Sequence, residues 1–103
     1  MDYRAVLERI VTWAAKDPNV RTVVLTGSAA SGALHELSDR DIELHVLRTA
    51  PLEQDDSWWN SLGEVLAVER LTNGDDQPTR LVYYVGGKID FTLVGFLERV
   101  SQI

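Results

Sequence analysis

The sequence predicts an α/β (α+β) fold in which helices pack mainly on one face of a small mixed β-sheet. Two patterns carry this prediction. Apolar side chains recur at helical spacing from Asp2 to Lys16, which predicts an amphipathic N-terminal helix. After Pro18, short β-branched or alternating runs separated by turn residues predict strands.

The composition is that of one globular domain over residues 1–103, with 45% apolar and 25% charged residues. No run approaches the ~18 apolar residues that a membrane span requires, and the first residues do not resemble a secretory signal. We therefore expect a cytoplasmic protein without a membrane partner. The chain has no cysteine, so any metal site must use oxygen or imidazole ligands. A formal net charge of -6 argues against DNA or RNA as a partner, because phosphate binding needs clustered basic residues.

The first predicted strand leads directly into a turn and a helix. Arg21 to Thr26 is nearly continuous in apolar and β-branched residues, which predicts a buried central strand closed by Gly27. Ser28 then begins a segment of small residues that reaches Leu34. We expect a short helix there, with Ser28 as its cap.

The segment from Asp39 to Val46 alternates between polar and apolar residues. In a strand, every second side chain points to the same face of the sheet. One predicted face is apolar and the other polar: Ile42, Leu44 and Val46 against Asp39, Asp41, Glu43 and His45. Four polar positions on one face are ordinary if that face is exposed to solvent. They indicate a functional role if that face is covered in the folded protein.

The second half of the chain predicts two helices and three strands. The helices lie around Ser57 to Leu62 and from Phe96 to Ile103, and the strands are Val65 to Arg70, Arg80 to Val85 and Lys88 to Val94. Asn73 to Pro78 forms a turn between the first two strands, and Gly86-Gly87 joins the last two as a hairpin.

Three features of this pattern suit chemistry on a metal-bound triphosphate. A Gly27-Ser28 turn lets backbone N–H groups approach phosphate closely, and the start of a helix favours an anion. Asp39 and Asp41 are two positions apart on a strand, so both carboxylates can bind one hard cation. Asp90, from a neighbouring strand, permits a second metal ion beside the first.

Each feature also has an ordinary structural explanation. Gly27-Ser28 fits a helix cap that follows a strand. The acids after residue 38 fit the solvated face of an edge strand, and Asp90 fits a half-exposed sheet. The occurrence of all three features in one order and spacing favours a functional site over three separate coincidences.

These motifs resemble the nucleotidyltransferases of the DNA polymerase β superfamily. Their signature is an apolar strand ending in Gly-Ser or Gly-Gly, a gap of about 10 residues, and Asp-x-Asp or Asp-x-Glu opening a strand. The matching residues here are Val24-Leu25-Thr26-Gly27-Ser28, then 10 residues, then Asp39-Arg40-Asp41. The chain looks most like the streptomycin (aminoglycoside 6-) adenylyltransferase group in a minimal-length form, through Trp58-Trp59-x-x-Leu62-Gly63-Glu64 and Gly87-Lys88-Ile89-Asp90-Phe91.

The resemblance implies a nucleotidyltransferase-type fold and a metal-dependent enzyme. Such an enzyme moves a nucleotidyl group, AMP from ATP, to an acceptor hydroxyl, with two Mg²⁺ ions as cofactors. By this resemblance Asp39, Asp41 and Asp90 are catalytic metal ligands, and Gly27 and Ser28 bind the phosphates of the nucleotide. The acceptor is a small molecule similar to an aminoglycoside, or a protein.

The register of the first two acids has an alternative. Asp41-Ile42-Glu43 satisfies the same signature with a gap of 12 residues, which makes Glu43 the alternative metal ligand. We prefer Asp39 with Asp41, because the superfamily places isoleucine after the second acid.

Two departures from the superfamily support a second hypothesis. Ala29 stands where many relatives have an arginine after Gly-Ser, and we expect no separate acceptor-binding domain, although members of the resembled group carry a helical one. The alternative function is therefore a non-catalytic nucleotide-binding or partner-binding module, such as an antitoxin-like subunit. In either case we expect a homodimer or a complex with a helical partner.

Overall fold

The structure is a computed structural model and describes residues 1–26 and 40–96. Its elements are α1 (Tyr3–Lys16), β1 (Val20–Thr26), β2 (Arg40–Val46), α2 (Ala50–Gln54), α3 (Ser57–Asn60), β3 (Val65–Thr72), β4 (Pro78–Tyr84) and β5 (Gly87–Gly95). Gly27, Ser28 and Asp39 lie outside the described residues. So do the helix predicted to begin at Ser28 and all but the first residue of the predicted C-terminal helix.

The N-terminal helix α1 confirms its prediction. It begins after Asp2, whose side chain caps it by accepting a hydrogen bond of 3.2 Å from the backbone N–H of Ala5. Tyr3, Val6 and Ile10 form its buried stripe, three or four positions apart. The helix therefore presents one apolar face to the sheet.

The five strands form one mixed sheet in the order β1-β2-β5-β4-β3. β2 and β5 are parallel, and the other three neighbouring pairs are antiparallel. The predicted hairpin joins β4 to β5, with Val85 and Gly86 as its turn and Gly87 already paired in β5. Gly86 adopts a φ of 85°, a conformation that glycine reaches at no steric cost. The small mixed sheet predicted from the sequence is confirmed.

The prediction that the first strand is central was wrong. β1 lies at one edge of the sheet, where it pairs with β2 alone among the described strands. Arg21, Thr22 and Leu25 are exposed in this strand. An apolar run indicates burial on the faces of a sheet, whereas lateral position depends on pairing with distant strands.

The hydrophobic core lies between one face of the sheet and the helices, which confirms the one-sided packing. Its aromatic centre is Trp58, which stacks on Trp13 with ring centroids 5.6 Å apart and meets Phe91 edge-on at 5.0 Å. Within residues 1–26 and 40–96, the buried residues of this core cluster are Tyr3, Val6, Ile10, Val20, Ile42, Leu44, Val46, Leu52, Trp58, Trp59, Leu62, Val82, Tyr84, Ile89, Phe91 and Leu93.

The short helix α2 was not predicted. Proline usually breaks a regular element, but Pro51 lies in the first turn of this helix, where it is tolerated because no N–H donor is required. Leu52 of this helix enters the core and accepts a hydrogen bond of 2.9 Å from the Trp58 indole at its carbonyl. None of the described helices has the length and apolar character needed to cross a membrane.

Candidate active site

Asp41 and Asp90 lie side by side on neighbouring strands. The parallel register of β2 and β5 pairs Asp41 with Asp90. Paired residues point to the same face, and neighbouring strands lie about 4.8 Å apart, so both carboxylates face one small volume. A single cation placed there can contact both acids.

The two faces of β2 differ as its alternation predicts. Ile42, Leu44 and Val46 are buried against the helices, whereas Asp41, Glu43 and His45 are half-buried on the opposite face. We call this second side of the sheet the acidic face and define it by Asp41, Glu43 and Asp90. The core residues therefore fix the direction in which the acids point.

A lysine also lies on the acidic face. Lys88 precedes Asp90 by two residues on β5, and its Nζ lies 3.2 Å from Asp90 Oδ1. Both side chains are only 22% exposed. The ion pair is therefore partly shielded from water. Such shielding makes the attraction between the two charges stronger than it is at a fully solvated surface.

Tyr83 borders this lysine on β4. Lys88 Nζ lies 5.3 Å from the centre of the Tyr83 ring, within the range of a cation–π contact. The Tyr83 hydroxyl donates a hydrogen bond of 2.7 Å to Glu69 Oε1, and this bond is the main reason that the pKa of Tyr83 is raised. A polar chain thus runs from Glu69 on β3 through Tyr83 and Lys88 to Asp90.

Glu43 is paired with a histidine on its own strand. His45 Nε2 lies 2.9 Å from Glu43 Oε1, and the two side chains are 37% and 34% exposed. Alternation places both on the face of Asp41, as the sequence predicted. Because one Glu43 oxygen contacts His45, a cation bound there would have to share or replace that contact.

The end of β1 lies beside Asp41. The register pairs Thr26 with Asp41, and Thr26 Oγ1 donates a hydrogen bond of 3.3 Å to the Asp41 carbonyl oxygen. Gly27 and Ser28 follow Thr26 directly in the sequence. The strand that precedes the predicted phosphate-binding turn therefore ends next to a predicted metal ligand.

Two of the predicted ligands are thus described and adjacent, namely Asp41 and Asp90. Across residues 1–26 and 40–96, no three acidic or histidine side chains come together as metal ligands. Asp39, the third acid of the predicted set, lies outside these ranges. Lys88 was not predicted as a site residue, although alternation along β5 places it on the face of Asp90.

The family of the chain follows from its sequence as a whole. The model of one family, described as streptomycin adenylyltransferase, matches residues 2–103. The chain belongs to the streptomycin adenylyltransferase family. This finding confirms the resemblance seen in the motifs and makes the chain a member of the nucleotidyltransferases. No curated protein matches the chain.

Solved structures agree with this family on the fold. An aminoglycoside 6-adenyltransferase from Bacillus subtilis superposes with a TM-score of 0.73 at 15% identity, covering 99% of this chain and 38% of that one. A cytoplasmic RNA terminal U-transferase superposes with a TM-score of 0.60 at 17% identity, covering 88% of this chain and 28% of that one. The chain is therefore similar in fold to a nucleotidyltransferase domain and spans about a third of the length of these proteins.

Proposed function

We propose that this member of the streptomycin adenylyltransferase family is a metal-dependent nucleotidyltransferase that moves AMP from ATP to an acceptor hydroxyl. The observation that carries the proposal is the register of β2 and β5, which pairs Asp41 with Asp90 on the acidic face. Two carboxylates held by neighbouring strands are a rigid arrangement, since both strands also contribute buried core residues. Rigid placement of charge is the main catalytic contribution that phosphoryl chemistry needs from a protein.

The side chains fit a hard divalent cation. Magnesium prefers oxygen ligands and is bound by one or two carboxylates together with substrate phosphates. Asp41 and Asp90 supply such oxygens, and the Lys88 ammonium, 3.2 Å from Asp90 Oδ1, already places positive charge beside one of them. When bound, Mg²⁺ stabilises negative charge on the phosphates and lowers the pKa of the attacking hydroxyl.

The protein's own groups have separate roles in this proposal. Asp39 and Asp41 would hold the metal ions together with Asp90, and Gly27 and Ser28 would bind phosphate through backbone N–H and hydroxyl donors. The acceptor oxygen forms a bond to the α-phosphorus, the bond from that phosphorus to the bridging oxygen breaks, and pyrophosphate leaves. Asp90 is the carboxylate proposed to accept the proton from the acceptor hydroxyl.

The acceptor is proposed by class. The similar solved structure from Bacillus subtilis is that of an aminoglycoside 6-adenyltransferase, which supports an aminoglycoside-like small molecule as the acceptor of this chain. A protein acceptor is the other candidate. We propose a homodimer or a complex with a helical partner as the working assembly.

Calorimetric titration with ATP and GTP, with and without Mg²⁺, tests the proposal. We expect ATP binding that requires Mg²⁺ and weakens about tenfold or more in Asp41→Asn, because the substitution removes a charged metal ligand. Asp75→Asn is the matched control, since Asp75 is an exposed acid in the turn between β3 and β4.

The outcomes separate the two hypotheses for this chain. Equal Mg²⁺-dependent binding by the wild type and Asp41→Asn would contradict the metal assignment. ATP binding without pyrophosphate release, in the presence of candidate acceptors and partners, would favour the non-catalytic binding module. Once an acceptor is known, Asp41→Asn should abolish transfer while circular dichroism shows an unchanged fold.

A further inference from the structure

The ion pair between Lys88 and Asp90 lies within the proposed metal site. Lys88 Nζ is 3.2 Å from Asp90 Oδ1, and Asp90 is paired with Asp41 across β5 and β2. The ammonium group therefore sits next to one of the two carboxylates that face the same small volume. A divalent cation bound to that oxygen would occupy space close to the ammonium.

In the metal-free protein, Lys88 offsets the repulsion between the two carboxylates. Two carboxylates on neighbouring strands repel each other, and partial shielding from water strengthens this repulsion. The Lys88 ammonium group beside Asp90 offsets this repulsion and keeps the carboxylate in place. The ammonium group also repels a divalent metal ion, so Lys88 must lose its contact with Asp90 when the metal ion binds.

We propose that Lys88 is a resident counterion of Asp90, which holds this carboxylate in the metal-free protein and is displaced from it by the divalent cation. This inference rests on the proposed function, because it assigns Asp90 to a metal site. Lys88 is a positioning residue in this account. It acts on the metal through Asp90 and sets how tightly the protein binds a divalent ion before nucleotide arrives.

A second contact is available to the Lys88 ammonium group after its displacement from Asp90. Its four-carbon side chain is flexible, and the Tyr83 ring already lies 5.3 Å from Nζ. The Tyr83 hydroxyl is held by Glu69 Oε1 at 2.7 Å, which keeps the ring in position. Lys88 can therefore give up its contact with Asp90 Oδ1 while it keeps the aromatic contact.

The test measures Mn²⁺ binding to the full chain in the absence of nucleotide, with electron paramagnetic resonance as the readout. Lys88→Met, which keeps the length of the side chain and removes the charge, should bind Mn²⁺ about tenfold more tightly than the wild type. Lys88→Arg keeps the cation and should stay close to the wild type. Lys16→Met is the matched control, because Lys16 is the other lysine of the chain and lies exposed at the end of α1.

Two kinds of failure are distinguishable in this experiment. If neither the wild type nor Lys88→Met binds Mn²⁺, even with a non-hydrolysable ATP analogue, the proposed function fails. If the wild type binds Mn²⁺ in an Asp90-dependent way and Lys88→Met binds it no more tightly, the counterion role is overturned. An affinity gain shared by Lys16→Met would likewise overturn it, because it would reflect net charge alone.

A measurement on the wild-type chain avoids any effect of substitution on folding. The amine of Lys88 should react faster with an acylating reagent at saturating Mg²⁺ than without metal, because it has lost its contact with Asp90. The reactivity of Lys16 should not change, which makes it an internal control. An unchanged or slower reaction at Lys88 with bound metal would contradict the displacement.

Discussion

Tyr83 and Tyr84 are sequence neighbours that point to opposite faces of β4. The Tyr84 side chain is buried, 2% exposed, and its hydroxyl donates a hydrogen bond of 2.6 Å to the Trp59 carbonyl. The Tyr83 hydroxyl bonds the exposed side chain of Glu69 on the other side of the sheet. One residue thus joins the sheet to α3, and the other belongs to the surroundings of the candidate site.

This difference predicts unequal effects of removing the two hydroxyls. Tyr84→Phe should lower the free energy of unfolding by about 0.5 to 1.5 kcal/mol, because it removes a buried hydrogen bond and leaves the Trp59 carbonyl with the longer one, 3.4 Å, from the backbone N–H of Leu62. Tyr83→Phe is the matched control and should have a smaller effect, since Glu69 regains hydrogen bonds from water. Chemical denaturation of the three proteins measures both changes, and equal losses would contradict the role of Tyr84.

The same tyrosine predicts a pH dependence of stability. Burial raises the pKa of Tyr84 well above its ordinary value of 10.0. The stabilisation from its neutral form is present below pH 10 and is lost as the pH rises further, because the unfolded chain then releases a proton that the folded chain keeps. Unfolding free energies measured from pH 8 to 11 should therefore fall less steeply in Tyr84→Phe than in the wild type. Identical slopes would contradict this origin.

Local patterns predicted which face of the sheet the described polar residues of β2 occupy, but not what they contact there. Alternation was enough to place Asp41 with Glu43 and His45, because a strand has a period of two residues. The ion pair of Lys88 with Asp90 depends on side-chain conformation and on the neighbouring strand, neither of which a local pattern encodes. The phosphate-binding role of Gly27 and Ser28 stays a prediction.

At the scale of elements, the contact between α1 and the start of β5 is a close one. A Cβ atom added at Gly87 would lie 2.9 Å from Tyr3 Cζ and would collide with the Tyr3 hydroxyl oxygen. That oxygen also accepts a hydrogen bond of 3.2 Å from the backbone N–H of Lys88. The absence of a side chain at Gly87 therefore allows the helix to lie close to the strand that carries Asp90.

Gly87→Ala should consequently destabilise the fold by about 1 to 3 kcal/mol, as is typical of overpacking. Gly74→Ala is the matched control, because no atom lies within 4 Å of an added Cβ there, and its effect should stay within about 0.5 kcal/mol. Thermal unfolding of both variants checks this. A Gly87→Ala protein as stable as the wild type would show that Tyr3 can move aside freely.

The position of β1 shows where element-level prediction fails. Its apolar run predicted a central strand, yet Leu25 is 37% exposed and the strand lies at the edge of the sheet. The central strand is β5, which lies between β2 and β4. Its pairing with β2 joins residues that are more than 40 positions apart in the chain. Such long-range pairing is set by the packing of the whole sheet and not by the composition of one strand.

Across the whole chain, the order and spacing of the motifs predicted the family, which no single helix or strand did. The spacing from the Gly-Ser pair to the paired acids indicated the superfamily, and the motifs that begin at Trp58 and Gly87 indicated the group. The family model that matches residues 2–103 confirms that group. Sheet order could not be predicted in the same way, because it depends on contacts between distant segments.

We expect a divalent cation to bind at Asp41 and Asp90 on the acidic face. Paramagnetic broadening by substoichiometric Mn²⁺, with an ATP analogue and ¹⁵N-labelled protein, tests whether it binds there. The amide signals of Asp41 and Asp90 should broaden first, and those of the acidic turn at Asp75 and Asp76 should broaden last. First broadening in that turn, or an unchanged pattern in Asp41→Asn, would contradict the claim.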